Sequence, residues 1–118
     1  MDISKIPLSP VVQHNDLLFL SGQLGFTSPG VLVEGGIEAQ TRQAIANIET
    51  VLAANGSDLG QIIKSTIWLT RKSDFPAFNT AYASHFEPGC YPARSTVVSD
   101  LLIDGALVEI EVIARKTS

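Results

Sequence analysis

The segment IEAQTRQAIANIETVLAA, residues 37–54, is followed at residues 62–71 by IIKSTIWLTR, and these two segments decide the fold. In the first, apolar or small residues recur every three or four positions, which predicts a helix with one apolar stripe. Asn55-Gly56 then supplies a left-handed stop. The second segment has apolar residues at both odd and even positions and β-branched threonines, which is typical of an interior strand.

Shorter patterns flank these two segments. A hairpin is predicted at 11–13 and 17–21, where apolar runs surround His14-Asn15-Asp16. Residues 21–36 are rich in glycine and predict a loop with a short strand at 31–33. Ser73 is a candidate cap for a second helix that ends at Pro88-Gly89. Strands at 93–99 and 107–115 complete the order β-β-α-β-α-β-β.

This order predicts a single α+β domain over residues 1–118, with a mixed sheet and two helices on one face. Two helices cover only one face of such a sheet. The strands nevertheless carry apolar residues on both sides, as in Leu17 to Leu20. We therefore expect another copy of the chain to cover the second face in a closed ring. A long loop folded over the sheet is the alternative, but residues 21–36 are too short to cover all of it.

Composition narrows the functional class. Hydrophobic residues make up 45% of the 118 residues, and the net charge is −4 with only eight Lys and Arg. This charge argues against a nucleic-acid site and against a polybasic membrane surface. Cys90 is the only cysteine, so no internal disulfide forms. The first twelve residues lack a signal-peptide pattern, so we expect a cytoplasmic protein.

Few side chains in the sequence are reactive by type. His14, His85 and Cys90 lack partners at metal-ligand or catalytic spacing, so we interpret them as structural or solvated and expect no metal. Arg94 follows the rigid pair Tyr91-Pro92 at the start of a strand. It is either a guanidinium fork for a carboxylate or half of a surface ion pair.

Glu109 and Glu111 alternate with apolar residues, so one face of the last strand is acidic. On a solvated face this pattern has no functional meaning. If the face is turned into a subunit interface, one of the two carboxylates could orient water or act as an acid or base.

The chain resembles the RidA/YjgF family of reactive-intermediate deaminases, also labelled endoribonuclease L-PSP. The resemblance covers Ser9 to about Arg115 and includes LFLSGQ at 18–23 and QTRQA at 40–44. Its most specific part is Pro-Ala-Arg-Ser at 92–95, with Val-Glu-Ile-Glu beginning 14 residues after the arginine. The resemblance implies a chorismate-mutase-like fold, a homotrimer with clefts between subunits, and no cofactor.

The resemblance also implies an activity and residue roles. Active relatives hydrolyse 2-imino or enamine acids to 2-keto acids and ammonia. Arg94 matches the arginine that pairs with the substrate carboxylate, and Glu109 matches the acid that holds the attacking water. Gly22 and Thr96 match positions whose backbone contacts substrate, and Asn79 matches a polar residue near the cleft. The chain departs from the best-studied branch at Val11 and Thr96, which replace Tyr and Cys.

These expectations leave several functions open. The leading hypothesis is a deaminase of 2-imino or enamine acids. A trimeric module that binds small carboxylates or 2-keto acids without turnover would use the same arginine. A deaminase of an aminomuconate-like catabolic intermediate is a third hypothesis. The family label also raises RNA cleavage, against which the acidic charge argues.

Overall fold

The computed structural model describes residues 5–117. Two helices and seven strands follow one another along this part of the chain: β1 (Val11–His14), β2 (Leu17–Leu20), β3 (Phe26–Ser28), β4 (Val31–Leu32), α1 (Gly36–Ala54), β5 (Ile62–Leu69), α2 (Phe75–Ala83), β6 (Ala93–Val98) and β7 (Val108–Arg115). Short 3₁₀ turns at Leu59–Gln61 and Lys72–Asp74 precede β5 and α2.

Five of the strands form one mixed sheet in the order β1-β2-β7-β5-β6. Strands β5 and β6 are parallel, and the other neighbours are antiparallel. The predicted α+β class, with two helices and a mixed sheet, is confirmed. β5 lies between β7 and β6, so its prediction as an interior strand is also confirmed.

The apolar core lies between the sheet and the two helices. Strand β7 buries alternate residues from Val108 to Ala114, as its period of two requires. Helix α1 contributes Ile45, Ile48 and Leu52, each at most 2% exposed. Burying each of these side chains stabilises the fold by about 1.5–3 kcal/mol before entropy is subtracted.

The opposite side of the sheet, which we call the outer face, is uncovered in the single chain. Cross-strand partners place these side chains on it: Val12, Leu17, Phe19, Lys64, Thr66, Trp68, Ser95, Val97, Glu109, Glu111, Ile113 and Arg115. Val12 is 56% exposed, Val97 48% and Phe19 40%. The predicted apolar residues of the second face are therefore present, together with polar and charged ones, and neither helix of residues 5–117 covers that face.

Three local predictions are corrected. The loop at 21–36 holds a two-stranded sheet, in which β3 was not predicted and β4 matches the predicted short strand. Ser73 does not cap the second helix, because a 3₁₀ turn leads directly into α2 without a side-chain cap. The helix also ends at Ala83 rather than near Pro88. Beyond it, His85 and Phe86 donate backbone hydrogen bonds three residues back, to the carbonyls of Tyr82 and Ala83.

No helix within residues 5–117 combines the length and the apolar composition needed to cross a bilayer.

Candidate active site

Arg94 lies on the edge strand β6 and points toward α2. Its register partner on β5 is Ser65, which is fully buried on the helix-facing side of the sheet. The guanidinium carbon lies 5.2–5.7 Å from the centroids of three aromatic rings, those of Phe75, Phe78 and Tyr82. Aromatic faces attract a cation at this distance. Helix α2 therefore supplies a platform for the Arg94 charge.

The Arg94 guanidinium keeps most of its hydrogen-bonding capacity. One Nη2–H donates to Asn79 Oδ1 at 2.9 Å. The one ion pair within residues 5–117 joins Arg71 to Asp74, so no described carboxylate neutralises Arg94. The surface ion pair considered for this arginine is therefore absent from the described part of the chain. A planar fork with free donors and no anion partner is suited to a ligand carboxylate.

A surface depression of about 320 Å³ opens beside this guanidinium. Its walls come from α2, from the loop before β6 and from β6 itself: Asn79, Tyr82, Ala83, Tyr91, Pro92 and Arg94. Thr96 follows two residues further along β6 and so shares the helix-facing side. Its Oγ1 is buried and has no hydrogen-bond partner among the described residues.

Tyr82 ties the aromatic platform to the sheet. Its hydroxyl donates to Ser65 Oγ at 2.8 Å, and both residues are buried. Burial raises the pKa of the Tyr82 phenol, while the Ser65 hydrogen bond and the nearby Arg94 charge oppose that rise. The phenol therefore stays neutral at physiological pH and acts as a fixed aromatic surface.

Glu109 lies on the outer face, against the loop that carries Gly22. This loop pairs with β7 through two backbone hydrogen bonds between Gln23 and Ile110, of 2.7 and 2.9 Å. A Cβ placed on Gly22 would collide with Glu109 Oε2 and would stand 2.9 Å from Glu109 Cδ. Gly22 therefore leaves the space that the Glu109 carboxylate occupies.

The environment of Glu109 disfavours its charged form. Partial burial raises the pKa of the Glu109 carboxyl, and the neighbouring Glu111 charge raises it further. Trp68 is its cross-strand partner on the outer face. A carboxyl group with a raised pKa exchanges protons closer to neutral pH than an ordinary one does, as acid–base chemistry requires.

Helix α1 positions the loop that holds Gly22. Asn47 Nδ2 donates to the carbonyls of Leu24 and Phe26 at 3.1 and 2.9 Å. A Cβ on Gly25 would stand 2.8 Å from Gln40 Cα, so glycine is needed for this close approach of two backbones. These contacts fix the Gly22 loop against β7.

The predicted site residues therefore fall into two groups on opposite faces of one sheet. Arg94, Asn79 and Thr96 form the Arg94 half-site, and Gly22 and Glu109 form the Glu109 half-site. Arg94 pairs with Ser65 on β5, and Glu109 pairs with Trp68. Residues three apart on a strand point to opposite faces, so the sheet separates the two half-sites within one chain.

The platform beneath Arg94 was not predicted from the sequence. The helical spacing of Phe75, Phe78 and Tyr82 indicates a second helix, but no local pattern shows that these rings face Arg94. Val11, at the family's tyrosine position, packs against the core and not beside Glu109.

The histidines and the cysteine lie outside both half-sites. His85 is bonded through Nδ1 to the Ala81 carbonyl, while His14 and Cys90 are exposed. No group of three or more His, Cys, Asp or Glu side chains in the described range is arranged to hold a metal ion.

Comparison with known proteins shows the family to which this chain belongs. The family described as Endoribonuclease L-PSP matches residues 3–116. The chain is 38% identical over 109 residues to the 2-iminobutanoate/2-iminopropanoate deaminase of Mus musculus, which covers 92% of this chain and 80% of that protein. It is 40% identical over 109 residues to Reactive Intermediate Deaminase A, chloroplastic, of Arabidopsis thaliana, covering 92% of this chain and 58% of that longer protein.

Solved structures agree with the sequence comparisons. The crystal structure of YyfA from Yersinia pestis, a Rid-family protein of unknown function, superposes with a TM-score of 0.86 at 44% identity. The match covers 92% of this chain and 87% of that one. The chain belongs to the endoribonuclease L-PSP family, which is the RidA/YjgF family that its motifs resemble.

Proposed function

We propose that this chain is an imine/enamine deaminase, which hydrolyses small 2-imino acids to 2-keto acids and ammonia with water as the only co-substrate. The observation that carries the proposal is the Arg94 guanidinium, which has no carboxylate partner among the described residues and is held over aromatic rings beside an open depression. The names of the mouse and Arabidopsis relatives support the same chemistry.

Each side chain has a defined part in the proposed reaction. Arg94 binds the substrate carboxylate and presents the adjacent C=N carbon. Glu109 holds a water molecule and accepts its proton as oxygen adds to that carbon, and the C=N electron pair moves to nitrogen. The carboxyl then returns the proton to nitrogen, the C–N bond breaks, and the hydroxyl proton leaves with ammonia. The products are a 2-keto acid and ammonia, with no change of oxidation state.

Within one chain, the sheet lies between Arg94 and Glu109. The proposed site therefore needs Arg94 from one copy of the chain and Glu109 from another. We propose a homotrimer in which the outer face of one subunit, with Gly22 and Glu109, meets the Arg94 half-site of the next. Among the described residues, the β6 edge that carries Arg94 has no further strand beside it, and the outer face carries exposed apolar side chains that neither helix covers. A ring of three would complete three equivalent sites.

A trapping assay tests the activity. An amino-acid oxidase acting on alanine generates 2-iminopropanoate, and semicarbazide traps the imine in competition with hydrolysis. We expect the wild-type protein to lower the yield of semicarbazone, and Arg94→Ala and Glu109→Gln to abolish that effect. Arg71→Ala removes an arginine held by Asp74 and serves as the matched control. Undiminished activity of Arg94→Ala would refute the carboxylate-binding role.

Subunit mixing tests whether the site is shared. Arg94→Ala and Glu109→Gln chains are unfolded together, refolded, and assayed. If sites form between neighbours in a ring, about one quarter of them regain both native residues. If each site lies within one chain, no activity returns.

The same assays separate the other functions. Saturable binding of 2-keto acids without hydrolysis of any imine would favour a binding module. Hydrolysis of an aminomuconate-like compound but not of 2-iminopropanoate would favour a deaminase of a catabolic intermediate. RNA cleavage has little electrostatic support, because the net charge is −4.

A further inference from the structure

A second pocket shares Phe75 and Thr96 with the surroundings of Arg94. It encloses about 310 Å³ and is lined by residues from β5, the turn before α2, α2 and β6: Leu69, Lys72, Phe75, Thr96, Val97 and Val98. Phe75 contributes to this pocket while its ring also lies 5.7 Å from the Arg94 guanidinium carbon. Phe75 therefore contacts both the Arg94 charge and the second pocket.

Two residues with polar groups line this otherwise apolar pocket, and those groups have no partner among the described residues. Thr96 Oγ1 is buried without a hydrogen bond, a state that costs free energy unless a ligand or water satisfies it. Lys72 forms no ion pair with any residue from 5 to 117. The nearest acid along the chain, Asp74, receives two hydrogen bonds from Arg71 instead. The pocket wall thus contains one exposed cation without an ion pair and one buried hydroxyl without a partner among the described residues.

We infer that this pocket receives the side chain of the substrate, and that Lys72 and Thr96 favour 2-imino acids whose side chain ends in a second carboxylate. This inference rests on the proposed function and adds a preference among its substrates. Arg94 would hold the carboxylate next to the imine carbon. The apolar wall of Leu69, Phe75 and Val98 would contact the methylene group, and Lys72 would pair with the terminal carboxylate.

The test compares two imines in the same trapping assay. An aspartate oxidase generates 2-iminosuccinate, and an alanine oxidase generates 2-iminopropanoate. We expect wild-type kcat/KM to be higher for 2-iminosuccinate. Lys72→Met keeps most of the aliphatic stem and removes the charge, so it should lower the ratio of the two kcat/KM values by about fivefold. Most of the change should appear in KM, because Lys72 contacts only the side chain.

Arg71→Met is the matched control, since it removes a neighbouring exposed cation that lies outside the pocket and is held by Asp74. It should leave the ratio unchanged. Thr96→Val tests the hydroxyl separately and should also lower the ratio. An unchanged ratio in Lys72→Met, or an equal change in Arg71→Met, would overturn the inference while hydrolysis of 2-iminopropanoate still supports the proposed function. A wild-type protein that hydrolyses neither imine would overturn both.

Discussion

The Glu109 carboxylate occupies the space that a side chain at position 22 would fill. Substitution of Gly22 therefore tests whether the position of this carboxylate matters. Gly22→Ala would push the Glu109 carboxylate aside, because the added Cβ collides with Oε2. The Gln23–Ile110 backbone pairing uses no side chain and should survive. We expect a folded protein whose imine hydrolysis falls by about one to two orders of magnitude. Trapping kinetics and far-ultraviolet circular dichroism measure the two effects.

Gly60→Ala is the control for that substitution. Gly60 does not have a positive φ, and the nearest atom to a Cβ there is the end of the Asp58 side chain at 3.1 Å. It should change neither activity nor helix content. Full activity of Gly22→Ala would show that the carboxylate need not occupy the space that Gly22 leaves.

The raised pKa of Glu109 predicts a pH-dependent stability. Because the folded chain holds this proton more tightly than the unfolded chain, stability falls as pH rises from the ordinary carboxyl pKa through the raised one. We expect Glu109→Gln to melt above wild type at neutral pH. The difference in melting temperature between the two proteins should disappear as pH falls below the ordinary carboxyl pKa, where the wild-type side chain is also neutral.

Differential scanning calorimetry over a pH series measures whether the stability of the wild type falls, relative to Glu109→Gln, as pH rises. Glu49→Gln removes one negative charge from an exposed position on α1 and controls for net charge. A wild-type protein that gained stability relative to Glu109→Gln as pH rose would contradict the prediction. Higher stability combined with lost deamination would be the pattern expected of a residue kept for chemistry.

At the scale of elements, a buried hydrogen bond joins α2 to β5 in addition to apolar packing. Tyr82→Phe keeps the ring under Arg94 but leaves Ser65 Oγ buried without its partner. We expect this to cost about 1–3 kcal/mol in the free energy of unfolding. The Tyr82→Phe/Ser65→Ala double variant should lose less than the sum of the single variants. Urea unfolding measures all three.

Tyr91→Phe removes an exposed phenol at the edge of the same aromatic series and serves as the control. It should change stability little. If the losses of the two single variants simply added, Tyr82 and Ser65 would not be energetically coupled.

The same elements show what the sequence could predict. Helix α1 begins within one residue of its predicted start and ends at the predicted Ala54, because its apolar period and the Asn55-Gly56 stop are local signals. The end of α2 was mispredicted, since the aromatic period continues to Phe86 while the backbone changes to shorter hydrogen bonds after Ala83.

The candidate site was predicted residue by residue but not in space. Its members came from a family pattern, whereas the face on which each lies depends on strand register. Only the pairing of Arg94 with Ser65, and of Glu109 with Trp68, shows that the two are on opposite faces. Such pairings join segments distant in the chain, and no local pattern encodes them.

At the scale of the whole molecule, the outer face should decide both assembly and activity. Phe19 is 40% exposed in the single chain and lies between Val12 and Ile113 on neighbouring strands. Phe19→Glu would place a charge in the proposed interface, where desolvation without a partner is costly. We expect wild type to sediment near three times the 12.6 kDa mass of one chain, and Phe19→Glu near the monomer.

The fluorescence of Trp68, the only tryptophan of the chain, reports on assembly. Trp68 lies on the outer face and is the cross-strand partner of Glu109. Its fluorescence should shift to longer wavelength in Phe19→Glu, and imine hydrolysis should be lost with the neighbour's half-site. Leu102→Glu, at a side chain 97% exposed and outside the main sheet, should preserve mass, spectrum and activity. An active monomer of Phe19→Glu would mean that Arg94 acts without the Glu109 of another copy.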